Sequence, residues 1–325
     1  MKLFKYATIG ATALGLTVSV AANADTWDMP TPYPDKTFHT ANIIEFAKDV
    51  EAATSGDLTI KIHSAGSLFK HPEIKNAVRS GQVPIGEFFL SRLSNEHAAF
   101  GADSLPFLAT NYADAEKLWQ AQKPVITKLL DEQGLIPLFS VPWPPQGLYT
   151  KKEIGSAGDL KGLKFRAYNA TLENFAQLTG AAPTQVEAPD ISQAYATGRV
   201  EAMITSPSTG ANSKAWDFVT HYTHLQAWVP KNIVVINKKA WRKLDKSAQD
   251  AVLAAGAKAE ARGWKMSQAE TAAKIKIMKD NGVVIVDPPA AKLMSDLKDV
   301  GATMLEDWKK SASGEGSAIL SAYQK

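Results

Sequence analysis

One short unit occurs twice in this chain, 117 residues apart, and the repetition limits the available folds more than any other feature. Residues 73–89 (EIKNAVRSGQVPIGEFF) align without a gap against residues 190–206 (DISQAYATGRVEAMITS), with an acid, Ile, Ala, Gly and Val at the same offsets. In each copy a helical stretch stops at a glycine, Gly81 or Gly198, and a short strand follows. A candidate strand ending in small or turn-forming residues precedes each copy. These strands are residues 57–63 (DLTIKIH) before Ser64-Ala65-Gly66, and residues 162–166 (GLKFR) before Ala167-Tyr168-Asn169. Two similar α/β lobes follow from this pattern. Such a pair places a small ligand between the lobes, because open α/β sheets bind beyond the carboxyl ends of their strands.

The first residues stand outside that pattern. Lys2 and Lys5 make a basic start, residues 7–20 are apolar and uncharged, and Ala22-Asn23-Ala24 is a small-residue cleavage site. A signal peptide over residues 1–24 is expected, with cleavage after Ala24 and export to the periplasm. The rival reading, a membrane anchor, needs a longer apolar run and a basic stop-transfer flank. The sequence has no Cys, which removes both a lipoprotein attachment point and a small disulfide scaffold. Cleavage leaves 301 of the 325 residues, enough to bury roughly three quarters of the unfolded surface without cross-links. The 36 basic side chains fall to 34 without Lys2 and Lys5, against 33 acidic ones. A nearly neutral mature chain without a clustered basic stripe argues against nucleic acid as a partner.

Pro30, Pro32 and Pro34 are expected to break any regular element, and residues 37–53 then read as an amphipathic helix with Ile43, Phe46, Ala47 and Val50 on one side. A helix over 113–133 and a strand over 135–141 complete a first lobe. The run Pro142-Trp143-Pro144-Pro145-Gln146-Gly147 fits neither helix nor central strand, so it reads as the crossing into a second lobe. Residues 228–237 (WVPKNIVVIN) read as a strand returning to the first. Residues 247–280 hold only Gly256 and Gly263 as breakers, so one helix of roughly 34 residues and about 50 Å is predicted, long enough to run across both lobes. Lobe I is expected to comprise residues 25–143 with about 232–271, and lobe II residues 144–231 with about 272–310. The Ser/Gly stretch 311–317 reads as a mobile connection to a short terminal helix within a tail of residues 311–325.

Arg166 is the leading candidate for chemistry. It sits at a strand end facing the expected crevice, and its planar fork suits a bidentate bond to a carboxylate. The alternative is a surface Arg paired with Glu187 or Asp190. Trp143, held between two prolines, and Tyr168, Phe88 and Phe89 supply candidate apolar walls, or ordinary core. Phe88 and Phe89 point to opposite faces of a strand, so at most one of them lines a site. His221 and His224 share a face only on a helix, which Tyr222, Thr223 and Pro230 disfavour, so no metal site is expected. Motifs for a nucleophile elbow, a phosphate loop and a dinucleotide fold are missing, and no cofactor is indicated. Glu187 with Asp190 keeps an exported acid/base hydrolase open, although helix N-terminal acids explain the pair equally.

The mature chain resembles the DctP-type periplasmic solute-binding proteins of tripartite ATP-independent periplasmic (TRAP) transporters. The resemblance is carried by Thr54-Ser55-Gly56-Asp57-Leu58, Ser64-Ala65-Gly66-Ser67-Leu68, Val78-Arg79-Ser80-Gly81, residues 160–166 (LKGLKFR) and Gly180-Ala181-Ala182-Pro183-Thr184, in this order. It implies a two-lobed α/β periplasmic binding protein, type II-like, with the lobes bridged by a long helix. It also implies capture of an organic anion without catalysis, and a TRAP membrane permease as partner. The family's ligand-carboxylate Arg falls on Arg166. A second Arg, common where sialic acid or dicarboxylates bind, falls on Gln146, and a polar position at the second repeat strand falls near Thr205 or Ser206. One fixed cation, a Gln and several aromatics point to a monocarboxylate, with benzoate-type aromatic acids first. Sugar acids are the alternative, since Gln146, Glu187, Thr205, Ser206 and Asn232 can satisfy hydroxyls.

Overall fold

A computed structural model describes residues 25–325, and the expected leader, residues 1–24, lies outside the described residues. Lobe I begins with strand β1 (Asp25–Pro30), helix α1 (Phe38–Ala53), β2 (Leu58–His63), α2 (His71–Ser80) and β3 (Ile85–Phe89). Two 3-10 turns lead into α3 (Tyr112–Glu132) and β4 (Leu135–Pro142). Lobe II holds β5 (Gly147–Thr150), β6 (Lys164–Ala167), α4 (Ala170–Leu178), β7 (Ala182–Gln185), α5 (Ile191–Ala196), β8 (Ala202–Thr205), α6 (Pro207–Asn212) and β9 (His221–Thr223). Strand β10 (Lys231–Asn237) returns to lobe I and is followed by α7 (Lys238–Trp241) and the long helix α8 (Lys246–Asp280). Strand β11 (Val284–Val286) and helix α9 (Ala291–Tyr323) end the chain.

Both copies of the repeat fold as a helix, a glycine stop and a strand. Gly81 and Gly198 take φ of 79° and 66°, a left-handed turn that a side chain would strain, and β3 and β8 follow them. In lobe I, β10 pairs antiparallel with β3 and β4, while β1 pairs parallel with β2 and lies against β3. Lobe II is one sheet in the order β11-β9-β5-β8-β6-β7. Across each lobe the arrangement is therefore the same, β2-β1-β3-β10-β4 matching β7-β6-β8-β5-β9. In both, the strand that arrives from the other lobe lies next to the repeat strand.

This equivalence corrects the pairing expected from sequence. The strand that immediately precedes the second repeat helix is β7, so β7 matches β2, and β6, which carries Arg166, matches β1. Pro183 within β7 and Pro30 at the end of β1 concealed these strands. Both positions are compatible with pairing, because β7 lies at the sheet edge and Pro30 is the last residue of β1.

Helix α8 runs across both lobes. Asn42 Nδ2 of α1 donates to Ala259 O at 2.9 Å, and Ser208 of α6 donates to Glu270 at 2.5 Å, so one helix is tied to lobe I and lobe II. Close approach is why its glycines are tolerated. A Cβ on Gly263 would lie 2.5 Å from Val141 Cγ2, and one on Gly256 would lie 2.9 Å from Leu138, both on β4. Residues 311–317 are no loose connection. They continue α9 through a break at Ser313 (φ 49°, ψ −134°), with Ala312 and Gly316 buried. The small side chains serve close packing, and Tyr323 beyond them donates to Leu108 O at 2.9 Å. Substituting Gly263→Val should overpack the α8–β4 contact and lower the unfolding free energy by about 1–3 kcal/mol in chemical denaturation. An unchanged midpoint would contradict the close approach described.

Candidate functional site

The lobes are joined by two chain crossings that run side by side. Trp143 N–H donates to Pro230 O at 2.8 Å, Gln146 N–H to Trp228 O at 3.0 Å, and Ala227 N–H to Gln146 O at 2.9 Å. The proline-rich run therefore remains paired although residues 143–146 belong to neither sheet. Between the strand ends of both lobes lies a pocket with about 380 Å³ of atom-free space, part of it open to solvent.

Arg166 projects into this cavity from β6 and is 2 % exposed. Its Nε donates to Val186 O at 2.9 Å, and its guanidinium lies 5.2 Å from the centre of the Tyr168 ring. Nη1 is buried with no hydrogen-bond partner among the described residues. Burial lowers the pKa of the group, opposed by Tyr168 and Glu187, yet a guanidinium stays protonated across the physiological range. A buried charge without a counter-ion is costly by several kcal/mol, so the arrangement favours an anion at Nη1.

The alternative pairing of Arg166 with Glu187 or Asp190 does not form. Asp190 is exposed ahead of α5. Glu187 accepts from Arg92 Nη1 at 2.9 Å on Oε1 and contacts His71 Nδ1 at 3.2 Å through Oε2. Phe89 N–H donates to His71 Nε2 at 3.0 Å, which puts the ring proton on Nδ1 and directs it at Glu187. Burial lowers the His71 pKa, in keeping with this neutral ring. For Glu187, burial alone would raise the pKa. The His71 hydrogen bond and the nearby charges of Arg92 and Arg166 outweigh it and hold the carboxyl well below the usual range. The two carboxylates of the hydrolase reading thus sit in different settings, one bound by two donors and one in solvent.

Most of these contacts cross from lobe to lobe. Arg92 and His71 belong to lobe I and Glu187 to lobe II, and Arg92 Nη1 also donates to Tyr168 O at 3.0 Å. Asn169 Nδ2 donates to Ser91 Oγ at 2.7 Å, and Lys36 reaches Asn212 O at 2.7 Å on another side of the cleft.

Aromatic rings wall the cavity. Trp143 packs edge-on against Tyr33 with centroids 5.0 Å apart, and over His39 at 4.3 Å. Its Nε1 donates to Asn232 Oδ1 at 2.9 Å, and Asn232 Nδ2 donates to Glu87 Oε1 at 2.9 Å, so a buried polar network fixes the ring. Tyr168 packs edge-on against Phe89, donates to Gln146 Oε1 at 3.3 Å and accepts from Trp228 Nε1 at 3.1 Å. Gln146 Nε2 donates to Pro144 O at 2.7 Å. Thr205 and Ser206 lie on the lining at the end of β8, where Ser206 also caps α6 by accepting from Thr209 N–H at 3.0 Å.

Two candidates are absent from the lining, Phe88 and Asn232, the latter with its amide committed to Trp143 and Glu87. Strand alternation turns Phe88 into the lobe I core beside Ile74 and Val78, while Phe89 lines the cavity. Sequence reasoning missed Tyr33, His71 and Thr209 on the lining and Arg92 behind Glu187. His71 meets Glu187 across 116 residues of chain, a juxtaposition that local pattern does not signal. Only the Pro32-Tyr33-Pro34 run marked Tyr33 as a rigidly held ring. His221 lies on β9 against Thr220, and His224 contacts Asp287 at 3.1 Å. Among the described residues no three His, Asp or Glu side chains gather closely enough to hold a metal ion. No helix among them is long and apolar enough to cross a membrane.

Comparison with known proteins places this geometry in context. The family model for DctP, bacterial extracellular solute-binding protein, family 7, matches residues 31–313. DctP7 of Bordetella pertussis, an extracytoplasmic solute receptor binding pyroglutamic acid, is 44 % identical, with a TM-score of 0.92 over 93 % of this chain and 100 % of its own. DctP6 of the same organism, also binding pyroglutamic acid, is 43 % identical, with a TM-score of 0.91 over 92 % and 99 %. A marine metagenome TRAP solute-binding protein specific for pyroglutamate is 42 % identical, with a TM-score of 0.91 over 93 % and 99 %. In the closed, ligand-bound protein, a double-mutant cycle of Arg92→Ala with Glu187→Ala should give a coupling of about 1.5–3 kcal/mol in unfolding experiments, as for a hydrogen bond to a charged group. Additive effects would mean that the interlobe pair does not form in solution.

Proposed function

The chain belongs to the DctP family of bacterial extracellular solute-binding proteins, and we propose that it captures a small cyclic monocarboxylate of the pyroglutamate type for a TRAP permease. Relatives in this family serve transporters as solute receptors. The observation that carries the ligand reading is Arg166, a lining residue of the interlobe cavity whose buried Nη1 has no hydrogen-bond partner among the described residues. The cavity's other charges, Glu187 and the neighbouring Arg92, already balance each other. One net positive charge remains, which matches one carboxylate. Gln146 stands where the family resemblance puts a second Arg, so a dicarboxylate would bring a charge with no cation to meet it.

Identities of 42–44 % to receptors that bind pyroglutamate support a compact ring with polar atoms as the ligand body. Aromatic acids of the benzoate type are the second reading, favoured by the rings of Tyr33, Phe89, Trp143 and Tyr168 on the lining. A benzoate ring would offer no hydrogen-bonding group to the Thr205 hydroxyl or to the remaining lone pairs of Glu187, and unmatched buried polar groups discriminate against a ligand.

Capture proceeds by closure. The ligand carboxylate pairs with Arg166 on lobe II, and lobe I then swings in about the paired crossings at residues 142–147 and 227–231. Arg92 and His71 meet Glu187, and Ser91 meets Asn169. Expelling water lowers the local dielectric constant and strengthens the Arg166 pair. Export with cleavage after Ala24 delivers the receptor to the periplasm, where the closed form docks on its permease.

Thermal-shift titration of residues 25–325 against pyroglutamate, benzoates, sugar acids and dicarboxylates tests this reading. A ligand at a hundredfold excess over its dissociation constant adds about 2.7 kcal/mol. Stabilisation is expected with pyroglutamate. Stabilisation by benzoates or sugar acids alone would replace the ligand and keep the receptor role. Arg166→Ala should weaken binding at least a hundredfold, because the ligand carboxylate would be buried unpaired. Unchanged affinity would remove Arg166 from the site.

A further inference from the structure

The hydrogen-bond polarity of the cavity specifies a second ligand group beyond the carboxylate, an inference that rests on the receptor reading above. Glu187 and Tyr33 both line the cavity and also share a neighbouring opening with His71, so they lie on one side of it. The donors to Glu187 are fixed. His71 Nδ1–H and Arg92 Nη1–H each occupy one carboxylate oxygen, at 3.2 and 2.9 Å, and each oxygen retains a lone pair. The direction at Tyr33 is equally constrained. Trp143 Nε1 can only donate, so the atom of Asn232 that faces it is Oδ1, while Nδ2 faces Glu87. The Tyr33 hydroxyl lies 3.3 Å from that same Oδ1 and gives its hydrogen there. Burial, with Glu87 and Glu187 nearby, raises the Tyr33 pKa well above its ordinary value and keeps the hydroxyl protonated. Tyr33 and Glu187 thus present lone pairs and no hydrogen to the cavity, on a site whose cation is Arg166.

We propose that Glu187 and Tyr33 are specificity-determining acceptors that require the ligand to carry a hydrogen-bond donor beside its carboxylate, a ring N–H in a lactam acid. Arg92 already balances the Glu187 charge, so a neutral N–H suffices and an ammonium is not needed. The same carboxylate repels a second negative charge on the ligand. A ring oxygen in place of the N–H would set lone pair against lone pair, and sites built to bind an N–H reject the analogue that lacks it.

The test is calorimetric titration of the mature protein with 5-oxopyrrolidine-2-carboxylate and with its lactone counterpart, which replaces the ring N–H by oxygen and keeps the carboxylate and carbonyl. The lactam should bind at least about a hundredfold more tightly. Tyr33→Phe and Glu187→Ala should weaken the lactam more than the lactone and narrow that ratio at least about tenfold in one or both variants. Equal wild-type affinities for the two compounds would overturn the acceptor assignment and leave the carboxylate receptor intact. A wide ratio unchanged in both variants would place the N–H partner elsewhere and overturn it too. Binding of neither compound would overturn the proposed ligand class, and this inference with it.

Discussion

A guanidinium buried without a counter-ion is the constraint around which this structure is arranged. Arg166 Nη1 has no partner among the described residues, and the only protein acceptor on the group is Val186 O. The fold holds the cation without neutralising it. Val186 lies just beyond β7 and fixes Nε, while the Tyr168 ring covers one side. Glu187, the next residue, is drawn away by two lobe I donors. With the cleft closed, a carboxylate that could have quenched Arg166 is thereby committed to lobe I, and Nη1 is left without a protein partner among the described residues. Electrostatics of the site and mechanics of the lobes are in this sense one arrangement.

Four segments connect the lobes, and they have different roles. The two strand crossings pair through backbone hydrogen bonds between residues 143–146 and 227–230 and are short enough to bend. Helix α8 spans the molecule with glycines pressed onto β4 and a polar tie to α6. Helix α9 starts on lobe II, where Ala157 N–H donates to Asp296 at 3.1 Å, and ends on lobe I, where Trp308 Nε1 donates to Ala98 O at 2.7 Å. At the foot of the returning crossing Lys231 and Asp103 are both fully buried. The backbone N–H of Lys231 donates to Asp103 at 2.9 Å, and its ammonium lies 3.5 Å away. Such a pair specifies position more than it adds stability.

Much of this was legible in the sequence because its signals are local. Gly81 and Gly198 mark helix stops that only their backbone conformation explains, and the run 142–147 declares a crossing through its prolines. Arg166 stood out as a planar cation at a strand end, and alternation sends Phe89 to the cavity lining and Phe88 to the core. The losses have physical reasons. Strands β1 and β7 hide behind Pro30 and Pro183, tolerated at a strand end and a sheet edge. The Ser/Gly run 311–317 has the composition of a linker, yet its small residues allow close helix packing. Tyr33, His71 and Arg92 are site residues only because closure brings lobe I onto lobe II, and no periodicity records a contact across a hundred residues.

The most direct test is a crystal structure of the mature protein with pyroglutamate bound. One carboxylate oxygen is expected within about 2.7–2.9 Å of Arg166 Nη1, the distance of a charge-assisted hydrogen bond, with the Arg92–Glu187 contact intact. A ligand whose carboxylate met any other cation, or lay outside the interlobe cavity, would contradict the account at its centre.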